Sequence, residues 1–130
     1  MNLTVLGGGA WGTALAVSAS ARHATRLWAR DASQVAQMRS LRRNGRYLGE
    51  VALPPALHLS SDLAVAMEHA RDGLLIVATP MAALGELLAH VPADGPGVLW
   101  LCKGFQQGTG RLGHEVAQAT CPQARVGVLS

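Results

Sequence analysis

Lysine is almost absent from this chain: Lys103 is the single lysine, and the other ten of the eleven Lys and Arg residues are arginine. Aromatic residues are also scarce, at 4%, so alanine, leucine and valine must fill the core. The two cysteines, Cys102 and Cys121, are too few for a disulfide framework and have no metal-ligand spacing. They read as plain thiols in a reducing compartment. His23, His58, His69, His90 and His114 share no ligand spacing either, which excludes a recognisable metal site. No apolar run approaches the roughly 20 residues of a membrane helix. The first residues lack the charged n-region of a secretory signal, and a cytoplasmic protein is expected. Acidic residues are few, 8 against 11 Lys and Arg, and the resulting formal charge of +3 suits an anionic ligand. Arg39, Arg42, Arg43 and Arg46 cluster, but without interleaved aromatics. The cluster reads as a solvated or phosphate-attracting loop and not as a nucleic-acid surface.

What is present is a regular alternation of strand and helix signals over 130 residues, one domain's worth of chain. Leu3, Val5 and Leu6 predict a first strand ended by glycine. Ala14, Leu15, Val17, Ser18 and Ala21 recur at helical spacing over 11–22. A second strand is expected over 25–29. Asp31 then offers a helix cap, with Gln34 placed as in a capping box, ahead of Val35, Met38 and Leu41. Residues 42–57 read as a loop with one extended piece, E-V-A-L. A short strand over 57–59 precedes a helix capped by Ser61 or Asp62. The run G-L-L-I-V-A-T over 73–79 is apolar throughout, as for a strand buried on both faces. Pro80 suits the first turn of a helix extending to about His90. A fifth strand over 97–102, a helix over 112–119 and a sixth strand beginning R-V-G-V-L-S complete the pattern. Such alternation predicts an α/β domain with a doubly wound parallel sheet. The sixth strand has no following element, so the chain reads as the front of a longer protein.

Residues 7–12 read G-G-G-A-W-G. Gly7, Gly9 and Gly12 fit G-x-G-x-x-G between a strand and a helix, the context in which that pattern binds dinucleotides. Gly7 permits the turn, Gly9 admits a pyrophosphate to the backbone, and Gly12 lets helix and strand approach. The fold expected is therefore Rossmann-type, with strand order 3-2-1-4-5-6, over residues 1–130. Trp11 would pack beside the cofactor, against a second domain, or in the core beneath the loop. At the end of the second strand, L-W-A-R-D places Arg30 where an arginine accepts the 2′-phosphate of NADP. With Asp31 engaged as a helix cap, NADP is accepted and NAD is not excluded. Lys103 follows the fifth strand on the edge that carries the glycine loop. A compact point charge with rotatable donors suits a small phosphate or an oxygen at a reacting carbon.

Seven segments fall in order: G-G-G-A-W-G-T-A-L (7–15), L-W-A-R-D (27–31), N-G-R-Y-L (44–48), V-A-L-P (51–54), A-T-P (78–80), C-K-G-F (102–105) and V-L-S (128–130). Together they resemble the N-terminal domain of bacterial NAD(P)-dependent glycerol-3-phosphate dehydrogenases. The resemblance implies reduction of dihydroxyacetone phosphate to sn-glycerol 3-phosphate with NADPH or NADH, feeding phospholipid synthesis. It implies that Ala10, Trp11, Arg30 and Tyr47 contact the cofactor. Lys103 would touch both cofactor and substrate, and it is the only candidate for a catalytic or substrate-binding role in this chain. It also implies a helical second domain carrying another essential lysine, so this chain should bind nucleotide without turnover. The longer enzyme would work as a homodimer. Gly8 and Ala10 stand where alanine and serine are common in the family, Met81 where serine is common, and Gln106 where an acid is common. The alternatives are a hydroxyacyl or ketopantoate dehydrogenase and a regulatory nucleotide-sensing domain.

Overall fold

Short apolar segments of this kind, too brief to be stable alone, gain their order from pairing side by side. The computed structural model describes residues 2–45, 51–91, 95–100 and 126–128. Its elements run β1 (Asn2–Leu6), α1 (Ala10–Ala19), β2 (Ala24–Trp28), α2 (Ala32–Leu41), β3 (His58–Ser60), α3 (Leu63–Ala70), β4 (Leu74–Val77), α4 (Met81–Leu88), β5 (Gly97–Trp100) and β6 (Val126–Val128). Every strand pair is parallel, and the sheet order is β3-β2-β1-β4-β5-β6. That is the order expected from the sequence. The order reverses direction between β1 and β4, and there the loops after the two strands part to opposite faces. Such a switch point is where open α/β sheets bind ligands.

Alternate strand residues serve two cores. Leu6, Trp28, Leu75, Val77, Val98 and Trp100 pack under α3 and α4 through Ala66, Met67, Ala70, Leu84, Leu87 and Leu88. Leu3, Val5, Leu27, Ala29, Leu59 and Ile76 pack under α1 and α2 through Ala16, Val35 and Met38. Burial on both faces is why the fourth strand reads as an unbroken apolar run. Among the described residues no helix is long and apolar enough to cross a membrane.

Several expectations need correcting. Of the expected α1 positions, Leu15 and Val17 pack half-buried against the core. The fully buried face is Gly12, Thr13 and Ala16, while Ala14, Ser18 and Ala21 are exposed. The helix lies so close to the sheet that its smallest residues face inward, and apolar spacing does not mark them. Leu41, counted with the α2 core, is 67% exposed. Pro80 is the N-cap of α4 and not its first helical residue. Arg39, which is exposed, and Arg42, which is half-buried, are tied to backbone as well as facing solvent. Arg39 donates from Nε and Nη2 to the Leu59 carbonyl at 3.2 and 2.6 Å. Arg42 donates to the carbonyls of Pro54 and Leu57. Both guanidiniums thus satisfy backbone oxygens along the crossover from α2 to β3. The extended piece is present in part, as an antiparallel bridge between Arg43 and Ala52. The helix expected over 112–119, both cysteines, Tyr47 and Lys103 lie outside the described residues.

Under α3 lies a polar cluster with a pH consequence. The buried Thr4 hydroxyl is 2.8 Å from His69 Nδ1. Burial holds the His69 pKa below its ordinary 6.5, and the charges of Arg26 and His58 lower it further. The folded state therefore prefers the neutral ring. Its contribution to stability is complete above pH 6.5 and is lost as pH falls through the lowered value, because the unfolded chain binds the proton first. Urea unfolding at about pH 7.5 and about pH 5.5 should show lower stability in acid. His69→Gln should reduce that difference, and an unchanged difference would show that other groups cause it.

Candidate functional site

The carboxyl ends of β1, β2 and β4 are tied together at the switch point. The Gly7 amide donates to the Trp28 carbonyl at 2.8 Å, and the Ala78 amide to the Leu6 carbonyl at 2.7 Å. Gly7 has φ +128°, a conformation other residues rarely adopt, and a Cβ there would stand 2.7 Å from the Ala78 carbonyl oxygen. Gly12 is held by contact: a Cβ there would stand 2.1 Å from the Gly7 carbonyl oxygen. These two positions fold the loop back onto the sheet and start α1 directly above it.

Gly9 is different. A Cβ at Gly9 would meet nothing within 4 Å. It is the N-cap of α1 and brings no side-chain acceptor to the amides of the first turn. At α2 the Asp31 carboxylate accepts from the amides of Ser33 and Gln34, and at α3 the Asp62 carboxylate accepts from those of Ala64 and Val65. The start of α1 thus combines donor groups, the positive end of a helix dipole and open space, with no acid in its first turn. This is a fit for an anion such as a pyrophosphate. Ala10 is exposed at the same edge. Trp11 is 82% exposed, which rules out a core tryptophan beneath the loop and leaves its ring free for a ligand or a second domain.

The loop is held from below by residues that its own pattern does not reveal. The Gly8 carbonyl accepts from Gln34 Nε2 at 2.9 Å and from Asn44 Nδ2 at 2.8 Å. Asn44 Nδ2 is also 2.8 Å from the hydroxyl oxygen of Thr13, and both side chains are buried. Gln34 sits where a capping box would need it, but its side chain serves the glycine loop and not the Asp31 amide. Asn44 opens the N-G-R-Y-L segment, where a lone polar residue gives no sign of burial.

At the other end of the edge, Asp31 caps α2 as expected, accepting from the Ser33 amide at 2.9 Å. Arg30 does not extend freely. Its guanidinium lies 5.7 Å from the centre of the Trp28 ring and forms an ion pair with Glu86 of α4. The structure therefore brings Gly7, Gly9, Ala10, Trp11 and Gly12 to one corner and sets Arg30 beside the neighbouring strand end. Tyr47 and Lys103 belong to segments outside the described residues. Among the described residues, no three His, Cys, Asp or Glu side chains come together as a metal site.

A family profile described as the NAD-dependent glycerol-3-phosphate dehydrogenase N-terminus matches residues 2–130. The chain is 58% identical to an NAD(P)+ glycerol-3-phosphate dehydrogenase of Methylibium petroleiphilum, over 100% of this chain and 40% of that protein. It is 51% identical to the protein of the same name in Leptothrix cholodnii, over 100% of this chain and 42% of that one. A solved glycerol-3-phosphate dehydrogenase from Coxiella burnetii superposes with a TM-score of 0.86 at 29% identity, covering 97% of this chain and 39% of its own. The chain thus spans about two fifths of the length of these relatives.

Proposed function

The chain belongs to the NAD-dependent glycerol-3-phosphate dehydrogenase family, as an N-terminal part of it, and from that premise we propose that it is the nucleotide-binding portion of an enzyme interconverting dihydroxyacetone phosphate and sn-glycerol 3-phosphate. The observation that carries this reading is the open, uncapped start of α1 over Gly9 at the switch point of the sheet. A pyrophosphate needs donor groups, positive potential and no intervening Cβ, and all three coincide there. Membership of this family sets aside the hydroxyacyl and ketopantoate alternatives and the nucleotide-sensing one.

A nicotinamide dinucleotide, NADP or NAD, supplies or accepts the hydride when bound. The chain's own residues bind and orient it. Gly7 and Gly12 shape the loop, Gly9 and Ala10 present the backbone, and Trp11 lies against the bound nucleotide. Arg30 takes the adenosine end and Tyr47 adds a further contact. Lys103 holds a substrate phosphate or the oxygen on the reacting carbon, where a compact cation stabilises developing charge. Turnover, phospholipid supply, a cytoplasmic setting and a homodimeric assembly are assigned to the longer protein.

Trp11 is 82% exposed beside the loop, whereas Trp28 and Trp100 are buried at 4% and 3% exposure. A reduced nicotinamide also quenches buried rings by energy transfer, so Trp11 supplies one part of the emission change. NADPH and NADH should each quench saturably, and Trp11→Phe should lessen the response while leaving the nucleotide bound by calorimetry. No saturable binding of either nucleotide, by fluorescence or by calorimetry, would overturn the reading.

A further inference from the structure

Arg30 is constrained in two ways. Trp28 lies beneath its guanidinium, and Nη1 and Nη2 each face one oxygen of the Glu86 carboxylate, at 3.2 and 3.4 Å. This is the paired fork in which arginine meets any planar or tetrahedral oxyanion. Glu86 lies on α4, behind β4, whereas Arg30 follows β2. The pair therefore crosses the carboxyl edge of the sheet, over the end of β1. Both side chains are well exposed, at 60% and 59%. An ion pair so exposed adds little to folding, and it can open at little cost when another anion arrives.

Resting on the nucleotide-binding reading above, we propose that Glu86 sets cofactor choice: its carboxylate competes with the 2′-phosphate of NADP for the Arg30 guanidinium and so restrains preference for the phosphorylated cofactor. Two donors of Arg30 are engaged by Glu86, and a phosphate seeking the same fork must displace that carboxylate or sit beside it. A 2′-phosphate carries most of two negative charges, and a neighbouring carboxylate repels it. An unphosphorylated ribose has no such conflict. The acid that follows β2 cannot play this part, because the Asp31 carboxylate is committed to the amides of Ser33 and Gln34. Glu86 reaches the same corner from the opposite face of the sheet. Arg30 thus provides attraction for the phosphorylated cofactor, and Glu86 provides the opposing term that leaves both cofactors usable.

The test compares 2′,5′-ADP with 5′-AMP by calorimetry on the chain, on Glu86→Gln, on Arg30→Ala and on the double variant. NADH and NADPH are titrated in parallel. Glu86→Gln should tighten 2′,5′-ADP about two- to fivefold, the size expected when an exposed ion pair is relieved. It should leave 5′-AMP nearly unchanged. Most of the gain should vanish in the Arg30→Ala background, since the two residues act through one contact. If Glu86→Gln tightens both nucleotides equally, leaves 2′,5′-ADP unchanged, or keeps its full gain without Arg30, the competition is overturned while nucleotide binding stands. If the unaltered chain binds none of the four nucleotides, the binding reading and this inference fall together.

Discussion

Gly12→Ala should lower the thermal midpoint by about 10 °C and abolish nucleotide binding. Alanine is the better helix former by about 1 kcal/mol, and Gly12 is the third residue of α1, so propensity alone favours the substitution. Contact opposes it. The new methyl would lie 2.1 Å from the Gly7 carbonyl oxygen and 3.2 Å from the Ala78 Cβ. The first of these is backbone, in a residue fixed by its positive φ and by the hydrogen bond its amide donates to the Trp28 carbonyl. Neither atom can rotate away, so the start of α1 must lift from the sheet. A Cβ 2.1 Å from backbone puts the cost at or beyond the upper end of the roughly 1–3 kcal/mol of overpacking. That leaves a net loss of about 2 kcal/mol or more after the propensity gain. In a domain of this size about 2–3 kcal/mol corresponds to the stated shift. Gly9→Ala is the informative companion. Its methyl would enter open space, and its φ of −76° suits alanine. The midpoint should move little, yet NADPH affinity should fall at least about tenfold, or about 1.4 kcal/mol, if the pyrophosphate approaches there. Thermal melts and calorimetry on the two variants separate the roles: a Gly9→Ala protein that binds normally places the pyrophosphate elsewhere.

The glycine loop and the Asp31 cap were legible because each is a local signal, and the strand order followed from the fold type that such a loop in a βαβ unit implies. Alternating apolar strands and helices fix an α/β sheet, and glycine spacing between a strand and a helix fixes the loop. What was not legible depends on distance. Gln34 and Asn44 reach the Gly8 carbonyl from 26 and 36 residues away, and Glu86 reaches Arg30 across 56. No spacing rule connects such positions. The buried face of α1 is only partly marked by apolar spacing, for another reason. In a helix rich in alanine, apolar character is nearly uniform, and closeness to the sheet selects the buried side. Arg39 and Arg42 show the same limit. Their neighbours in sequence suggested a charged surface, whereas their partners are carbonyls of the chain between α2 and the end of β3.

Asn44→Asp should weaken nucleotide binding and destabilise the chain more than its size suggests, because it preserves shape and inverts polarity. Asn44 is 2% exposed, and its amide nitrogen serves two oxygens, the Gly8 carbonyl and the Thr13 hydroxyl. A carboxylate there has no donor. Facing Gly8 it sets oxygen against oxygen in a buried site, and the charge loses its hydration. Asn44→Ala removes the donor without adding repulsion. It leaves the Gly8 carbonyl to Gln34 alone and opens a cavity beside Thr13. A buried group left without its partner costs about 1–3 kcal/mol, and Asn44→Ala should fall in that range with Asn44→Asp below it. The consequence for binding follows from where the bond ends. The carbonyl of Gly8 fixes the peptide plane that leads into Gly9, so a loosened plane no longer holds the α1 amides toward a phosphate. Affinity for NADPH should therefore drop in both variants at temperatures where circular dichroism shows them folded. Thr13→Val tests the network, since it removes one acceptor and keeps the volume. If Asn44 acts through both oxygens, the Asn44→Ala and Thr13→Val losses will be less than additive. Strict additivity, or full nucleotide affinity in folded Asn44→Asp, would show that the loop holds its shape without this side chain.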